Sequence, residues 1–130
     1  MRKASLVLTG LIALEHLWFL VLEMFLWTTP MGMSAFKTTP EYANASAVLA
    51  MNQGLYNGFL AAGLLWSLWA QSPRPALQLR MFFLGCVALA GIFGGWTVGP
   101  TVFLAQGLPA LVTLGLVYAT SKSVSSGSPS

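Results

Sequence analysis

Three side chains that can do acid–base chemistry lie within one long apolar run near the start of the chain. Residues 11–27 read LIALEHLWFLVLEMFLW, and this run contains Glu15, His16 and Glu23. The whole chain has only three acidic residues and one histidine, so most of its acid–base capacity is concentrated here. A carboxylate near an imidazole can hold a cation, exchange a proton or serve as an acid–base pair on a substrate.

The position of these groups predicts that they face protein neighbours. A charge at the bilayer centre costs at least about 2.5–3.5 kcal/mol on insertion scales, so such residues normally face the interior of a bundle and find partners. At 100° per residue, His16, Glu23 and Trp27 fall within about 60° of one another on a first helix, with Glu15 towards the edge of the same side. The opposite side carries nothing charged, which is typical of a lipid-facing surface.

A second helix repeats this pattern in MNQGLYNGFLAAG, residues 51–63. If the two helices cross one membrane in opposite directions, Glu23 should come level with Asn52 and Gln53, and His16 with Asn57. We therefore predict one polar pocket, open to the external face, in which Glu15, His16 and Glu23 are also the catalytic candidates. Its predicted binding residues are Glu15, His16, Glu23, Trp27, Asn52, Gln53, Tyr56 and Asn57, with Gln106 of a fourth helix at the same depth.

Composition places the chain in a membrane. Hydrophobic residues make up 56% and charged residues 7%, whereas soluble proteins carry about 25% charged residues. A net charge of +3 is too small and too scattered to predict a nucleic-acid surface. The single cysteine, Cys86, excludes a disulfide within one chain, and no motif predicts a metal site or a cofactor.

The elements that must position the polar residues are four apolar segments, each of about the 20 residues that a membrane crossing needs. We predict an all-α antiparallel bundle in one domain, residues 1–120, with spans at 4–27, 46–70, 76–96 and 100–120. Thr39 and Pro40 are typical of an N-cap and the first helical position, whereas Pro73 and Pro75 should end the second helix. The Ser/Gly-rich residues 121–130 are predicted to be a disordered tail.

Basic residues predict the orientation, because cytoplasmic loops are enriched in lysine and arginine. With four crossings, the side that holds both termini carries five of the six basic residues, and the other side carries Lys37. The members of the larger group are Arg2, Lys3, Arg74, Arg80 and Lys122. We therefore expect a multipass membrane protein with both termini in the cytoplasm.

Glycines at helical spacing indicate close packing between helices. One pair is Gly54 and Gly58, and a longer series is Gly91, Gly95 and Gly99. Either set could form a homodimer interface or pack within one chain, and the sequence leaves both open. The other expected partner is the lipid bilayer.

The segments EHLWFLVLEMFLW and NQGLYNGFLAAGLLW together resemble the bacterial membrane proteins of the family called domain of unknown function 1304. The resemblance extends over essentially the whole chain, and its distinctive residues are Glu15, His16, Glu23, Trp27 and residues 52–58. It implies a four-helix multipass protein of the cytoplasmic membrane, in a family with no established activity.

Three classes of function fit these residues. The first is a proton-linked carrier or binder of a small lipophilic or cationic compound, in which substrate and proton compete for one carboxylate. The second is a membrane-embedded isomerase or epimerase that uses Glu and His as acid and base on a lipophilic substrate. The third is a structural or accessory protein whose polar residues only hold helices together.

Overall fold

The computed structural model describes residues 2–125, and every regular element in that range is helical, without a strand. The predicted all-α class is therefore confirmed. The elements are α1 (Arg2–Phe25), α2 (Pro30–Phe36), α3 (Pro40–Trp69), α4 (Pro73–Thr97), α5 (Pro100–Val102), a π-helical turn (Phe103–Gly107) and α6 (Leu108–Ser125).

Three helical stretches are long and apolar enough to cross a membrane: α1, α4 and the continuous stretch Pro100–Ser121. The length and apolar composition of these helices support the membrane class that composition predicted. Helix α3 is the longest element at 30 residues, but it is not among the three. Its middle carries Asn52, Gln53 and Asn57, and these side chains lower its mean hydropathy.

The predicted start of α3 is confirmed. The helix begins at Pro40, and the Tyr42 backbone N–H donates to the Thr39 hydroxyl over 3.3 Å, which satisfies one free donor of the first turn. Hydrogen bonds from its own backbone N–H and from Thr39 hold the pKa of the exposed Glu41 below its usual value. An ionised carboxylate at this position also interacts favourably with the positive end of the helix dipole.

Several helix bounds differ from the prediction. Helix α2 lies inside residues 28–46, which were expected to form a polar connection, and its N-cap Thr29 accepts a hydrogen bond from the Gly32 N–H. Helix α4 begins at Pro73 and continues to Thr97, because proline is well tolerated in a first turn. Helix α6 extends through residues 121–125, where a tail was expected, and residues 126–130 lie outside the described range.

The residues of the predicted single domain cluster into two compact units. The central unit is residues 14–62, which include the second half of α1, helix α2 and most of α3. The terminal unit is residues 1–13 and 63–130, which include the start of α1, the end of α3 and all later helices.

Glycines bring helices together inside each unit. In the terminal unit, a methyl group on Gly91 would overlap the backbone of Gly107, and one on Gly95 would lie 2.6 Å from Cβ of Phe103. These glycines therefore pack within the chain, one of the two arrangements that the sequence left open. Gly99 is not on a helical face: it precedes α5 with a φ of 152°, a conformation that is essentially confined to glycine.

The π-helical turn has a local cause. The Leu108 backbone N–H donates to the Phe103 carbonyl, five residues back instead of four. Pro109 follows directly, and a proline ring inside an α-helix clashes with the carbonyl four residues before it. The wider turn moves the Ala105 carbonyl away from that ring, and it places Gly107 against Gly91.

Candidate functional site

Glu23 is held by a direct hydrogen bond between two helices of the central unit. The Asn57 side-chain amide donates from Nδ2 to Oε2 of Glu23 over 2.6 Å. Glu23 lies in the last turn of α1, and its side chain is half-buried, as is that of Asn57. A hydrogen bond to a charged acceptor is stronger than one between neutral groups, so this pair fixes the carboxylate on the face that meets α3.

Two glycines of α3 set the register of this pair. A methyl group on Gly54 would lie 2.5 Å from Cγ of Met24, and one on Gly58 would lie 2.6 Å from a methyl group of Leu20. Because neither glycine has a side chain, α1 approaches α3 closely at these points. Glu23 was expected level with Asn52 and Gln53, and its Cβ lies 3.1 Å from the position of a methyl group on the adjacent Gly54. Its carboxylate reaches further along α3, to Asn57, which the sequence had placed level with His16.

His16 and Glu15 differ in their surroundings. The His16 side chain is fully buried, with 0% exposure. Its ring meets the Phe19 ring edge to face, with ring centres 5.8 Å apart. Glu15 is half-buried. The predicted protein-facing side of α1 is therefore observed at His16, as it is at Ser5 and Thr9, which are also buried.

Three predicted site residues of α3 lie on its exposed surface: Asn52, Gln53 and Tyr56. The Asn52 amide donates to the Val48 carbonyl of its own helix over 3.1 Å, and the Tyr56 ring packs edge to face on Phe59 at 6.0 Å. Of the predicted α3 residues, Asn57 is the one in direct contact with an acidic side chain. The half-buried Gln106 belongs to the π-helical turn of the terminal unit.

Trp27 is tied to α3 by contacts that periodicity did not reveal. Its indole Nε1 donates to Oγ of Ser46 over 3.1 Å, and Ser46 in turn donates to the Tyr42 carbonyl over 2.6 Å. The Trp27 ring also packs against Phe36 of α2, with ring centres 4.8 Å apart. Ser46, four residues after Tyr42, carried a weak signal, because serine often returns a hydrogen bond to the carbonyl four residues earlier.

Two open depressions stand out, one in each unit. One, of about 340 Å³, is lined by residues of α3 and α4 in the terminal unit, namely Trp66, Pro75, Gln78, Leu79 and Phe82. The other, of about 430 Å³, is lined by Phe36, Lys37, Thr38, Thr39 and Tyr42. Neither includes a predicted site residue. Within the described range, no group of three His, Cys, Asp or Glu side chains is placed to hold a metal ion.

Comparison with known proteins gives a family and a relative of similar length. The family model described as protein of unknown function (DUF1304) matches residues 10–118. The chain is 29% identical over 116 residues to an uncharacterized protein, YpaA, of Lactococcus lactis subsp. lactis (strain IL1403), which covers 88% of this chain and 96% of that protein. No solved structure matches the chain.

Proposed function

This chain belongs to the DUF1304 family, and we propose that it is a proton-linked carrier or binder of a small lipophilic cation that acts through Glu23. The observation that carries the proposal is the hydrogen bond from Asn57 to the Glu23 carboxylate, within a helix apolar enough to cross a membrane. A site of this kind can hold a proton or an organic cation, and exchange of one for the other would couple their movements.

The unused bonding capacity of Glu23 supports this role. A carboxylate has two oxygens and about four acceptor positions, and the Asn57 amide occupies one of them. Among the side chains of residues 2–121, no lysine or arginine forms a salt bridge with Glu23. A partly buried carboxylate without a permanent cation is a binding site for a transient one, because burial without any partner is costly.

We further propose that α3 is the fourth membrane span. Its 30 residues give a length of about 45 Å at 1.5 Å per residue. In the central unit Ser46 bonds to Trp27 near the end of α1. In the terminal unit, Leu68 lies 3.8 Å from the position of a methyl group on Gly10. In the central unit α3 therefore runs antiparallel to α1. At 30 residues it is longer than the 24-residue α1, and a helix of that length packed against a membrane-spanning helix would share its crossing.

With four spans, the distribution of basic residues favours both termini on the cytoplasmic side of a bacterial inner membrane. Trp27 and Lys37 would then lie near the external surface, and Glu23 in the outer half of the bilayer. A cation would reach Glu23 from outside. One chain of this size offers little surface to enclose a pathway, so we propose a homodimer as the transporting form.

The test is the binding of tetraphenylphosphonium, a lipophilic cation, to purified protein in detergent from about pH 8 to pH 5. Protons compete for the same carboxylate, so binding should weaken as the pH falls. Glu23→Gln keeps the shape and an acceptor for Asn57 but removes the charge, and it should abolish the binding and its pH dependence. Isothermal calorimetry measures both.

Glu41→Gln is the matched control, because it makes the same change at the exposed start of α3 and should leave binding unchanged. Equal affinity of wild type and Glu23→Gln at every pH would refute the proposal. The isomerase alternative needs an acid and a base at one substrate atom, whereas His16 and Glu23 are about 10 Å apart along α1. Recovery of a neutral isoprenoid as its isomer would nevertheless favour that alternative.

A further inference from the structure

The charges of this protein are segregated between its two units. All three acidic residues, Glu15, Glu23 and Glu41, belong to the central unit, whereas the terminal unit has five basic residues and no aspartate or glutamate. No carboxylate side chain inside the terminal unit can therefore neutralise its arginines. Their counter-ion has to come from outside that unit.

Among the basic residues from position 2 to position 121, Arg80 is the one most enclosed by protein. It lies in α4 and is half-buried, and its guanidinium donates from one terminal nitrogen to the Ser67 carbonyl over 2.8 Å. That carbonyl belongs to the last turn of α3, where backbone acceptors have no partner inside the helix. This hydrogen bond caps the end of α3 and satisfies one of the donors of the Arg80 guanidinium. The buried Nε of Arg80 has no hydrogen-bond partner among the described residues.

A second arginine is near enough for its charge to act on Arg80. Arg2, at the exposed start of α1, is the charged residue that acts electrostatically on Arg80, and both belong to the terminal unit. Two like charges near one another repel, and the capping bond at Ser67 does not relieve that repulsion. An anion between or beside the two guanidinium groups would, and it would also give the Arg80 Nε an acceptor.

We propose that Arg2 and Arg80 bind the phosphodiester headgroup of an anionic phospholipid. Arginine is suited to this ligand because its planar fork of donors matches the oxygens of a phosphate. The depth of the site also fits, since Trp66 and Trp69 at the same end of α3 are 60% and 76% exposed, and tryptophan is enriched at the level of lipid headgroups. Basic pockets between membrane helices commonly receive such headgroups. These arginines belong to the terminal unit, whereas Glu23 belongs to the central unit.

The test measures how many phosphatidylglycerol molecules remain on the purified protein in native mass spectrometry, and with what apparent affinity. Phosphatidylcholine, which has no net charge, and inorganic phosphate serve as comparison ligands. Wild type should retain phosphatidylglycerol in preference to both. Arg80→Gln and Arg2→Gln should each weaken that binding about fivefold or more, the factor that corresponds to roughly 1 kcal/mol for one basic contact.

Arg74→Gln is the matched control, because Arg74 is an exposed arginine at the start of α4 in the same unit, and the change should leave the affinity within twofold of wild type. Arg2→Gln keeps the test decisive if Arg80→Gln fails to fold, since Arg2 is exposed. An equal loss of phosphatidylglycerol affinity in all three variants would show a general effect of charge. Equal retention of phosphatidylglycerol and phosphatidylcholine would show nonspecific binding of lipid around the protein. Either result would overturn the proposed site. Binding of inorganic phosphate at the same affinity would overturn the assignment to a lipid.

Discussion

The bond between Glu23 and Asn57 joins an acidic side chain of α1 to an amide of α3 that lies three residues after Gly54 and next to Gly58. Polar bonds between membrane helices average about 0.6 kcal/mol and reach about 1.7 kcal/mol. This bond should lie towards the upper end, because its acceptor is a carboxylate and its distance is short. Its contribution can be isolated from the other effects of either mutation by a double-mutant cycle.

For that cycle we predict a coupling energy of about 0.6–1.7 kcal/mol between Glu23→Ala and Asn57→Ala, since each removes one partner of the same bond. The measurement is reversible unfolding of the four proteins in mixed micelles. Asn52→Ala is the control partner for Glu23→Ala, because the Asn52 amide bonds to Val48 of its own helix. Coupling of Glu23 with Asn52 as large as with Asn57 would contradict the observed register.

At the scale of the helices, local signals predicted starts and stops well. Thr39 and Pro40 predict the start of α3 because both act within one turn. The Thr39 side chain accepts a hydrogen bond from the first turn, and the Pro40 ring fixes φ at a helical value. Packing between helices was harder to predict. The register at Glu23 depends on how closely α1 approaches Gly54 and Gly58. Contacts of this kind join residues distant in sequence, and periodicity in one segment carries no information about them.

Helix α4 offers a matched pair of glycines with which to test its packing against the π-helical turn. Gly91→Ala should lower the free energy of unfolding by about 1–3 kcal/mol, because the added methyl group would overlap the Gly107 backbone, which cannot rotate away. Gly85→Ala should be neutral or stabilising by up to about 1 kcal/mol, because nothing lies within 4 Å of that position. Thermal unfolding in detergent compares the two, and equal effects would contradict the close contact.

For the molecule as a whole, the number of membrane crossings determines on which side Glu23 is reached. Helix α3 joins α2 to the turn before α4, so its crossing decides whether the two ends of this helix lie on opposite sides. Ser34 in α2 and Ser72 before α4 are both exposed. These two positions therefore report directly on the topology.

We predict that in a Cys86→Ala background an impermeant thiol reagent labels Ser34→Cys from outside intact cells and labels Ser72→Cys only after the membrane is opened. The reason is that a four-span chain with cytoplasmic termini places α2 outside and residues 70–72 inside. Labelling of both positions from outside would show that α3 does not cross. The reverse pattern would refute the orientation and move Glu23 to the inner half of the bilayer.

The wider turn at residues 103–107 also bears on how this chain compares with its relatives. A π-helical turn holds one residue more than an α-helical turn, so the side chains from Leu108 to Ser121 are rotated by about 100° from where an unbroken α-helix would place them. A helical wheel that is drawn without a break from Pro100 through α6 therefore assigns the residues of α6 to the wrong faces of the helix. Deletion of one residue from this turn would convert it into an ordinary α-helical turn. A one-residue deletion should therefore be better tolerated here than in α4, where it would rotate half of the helix towards the wrong neighbours.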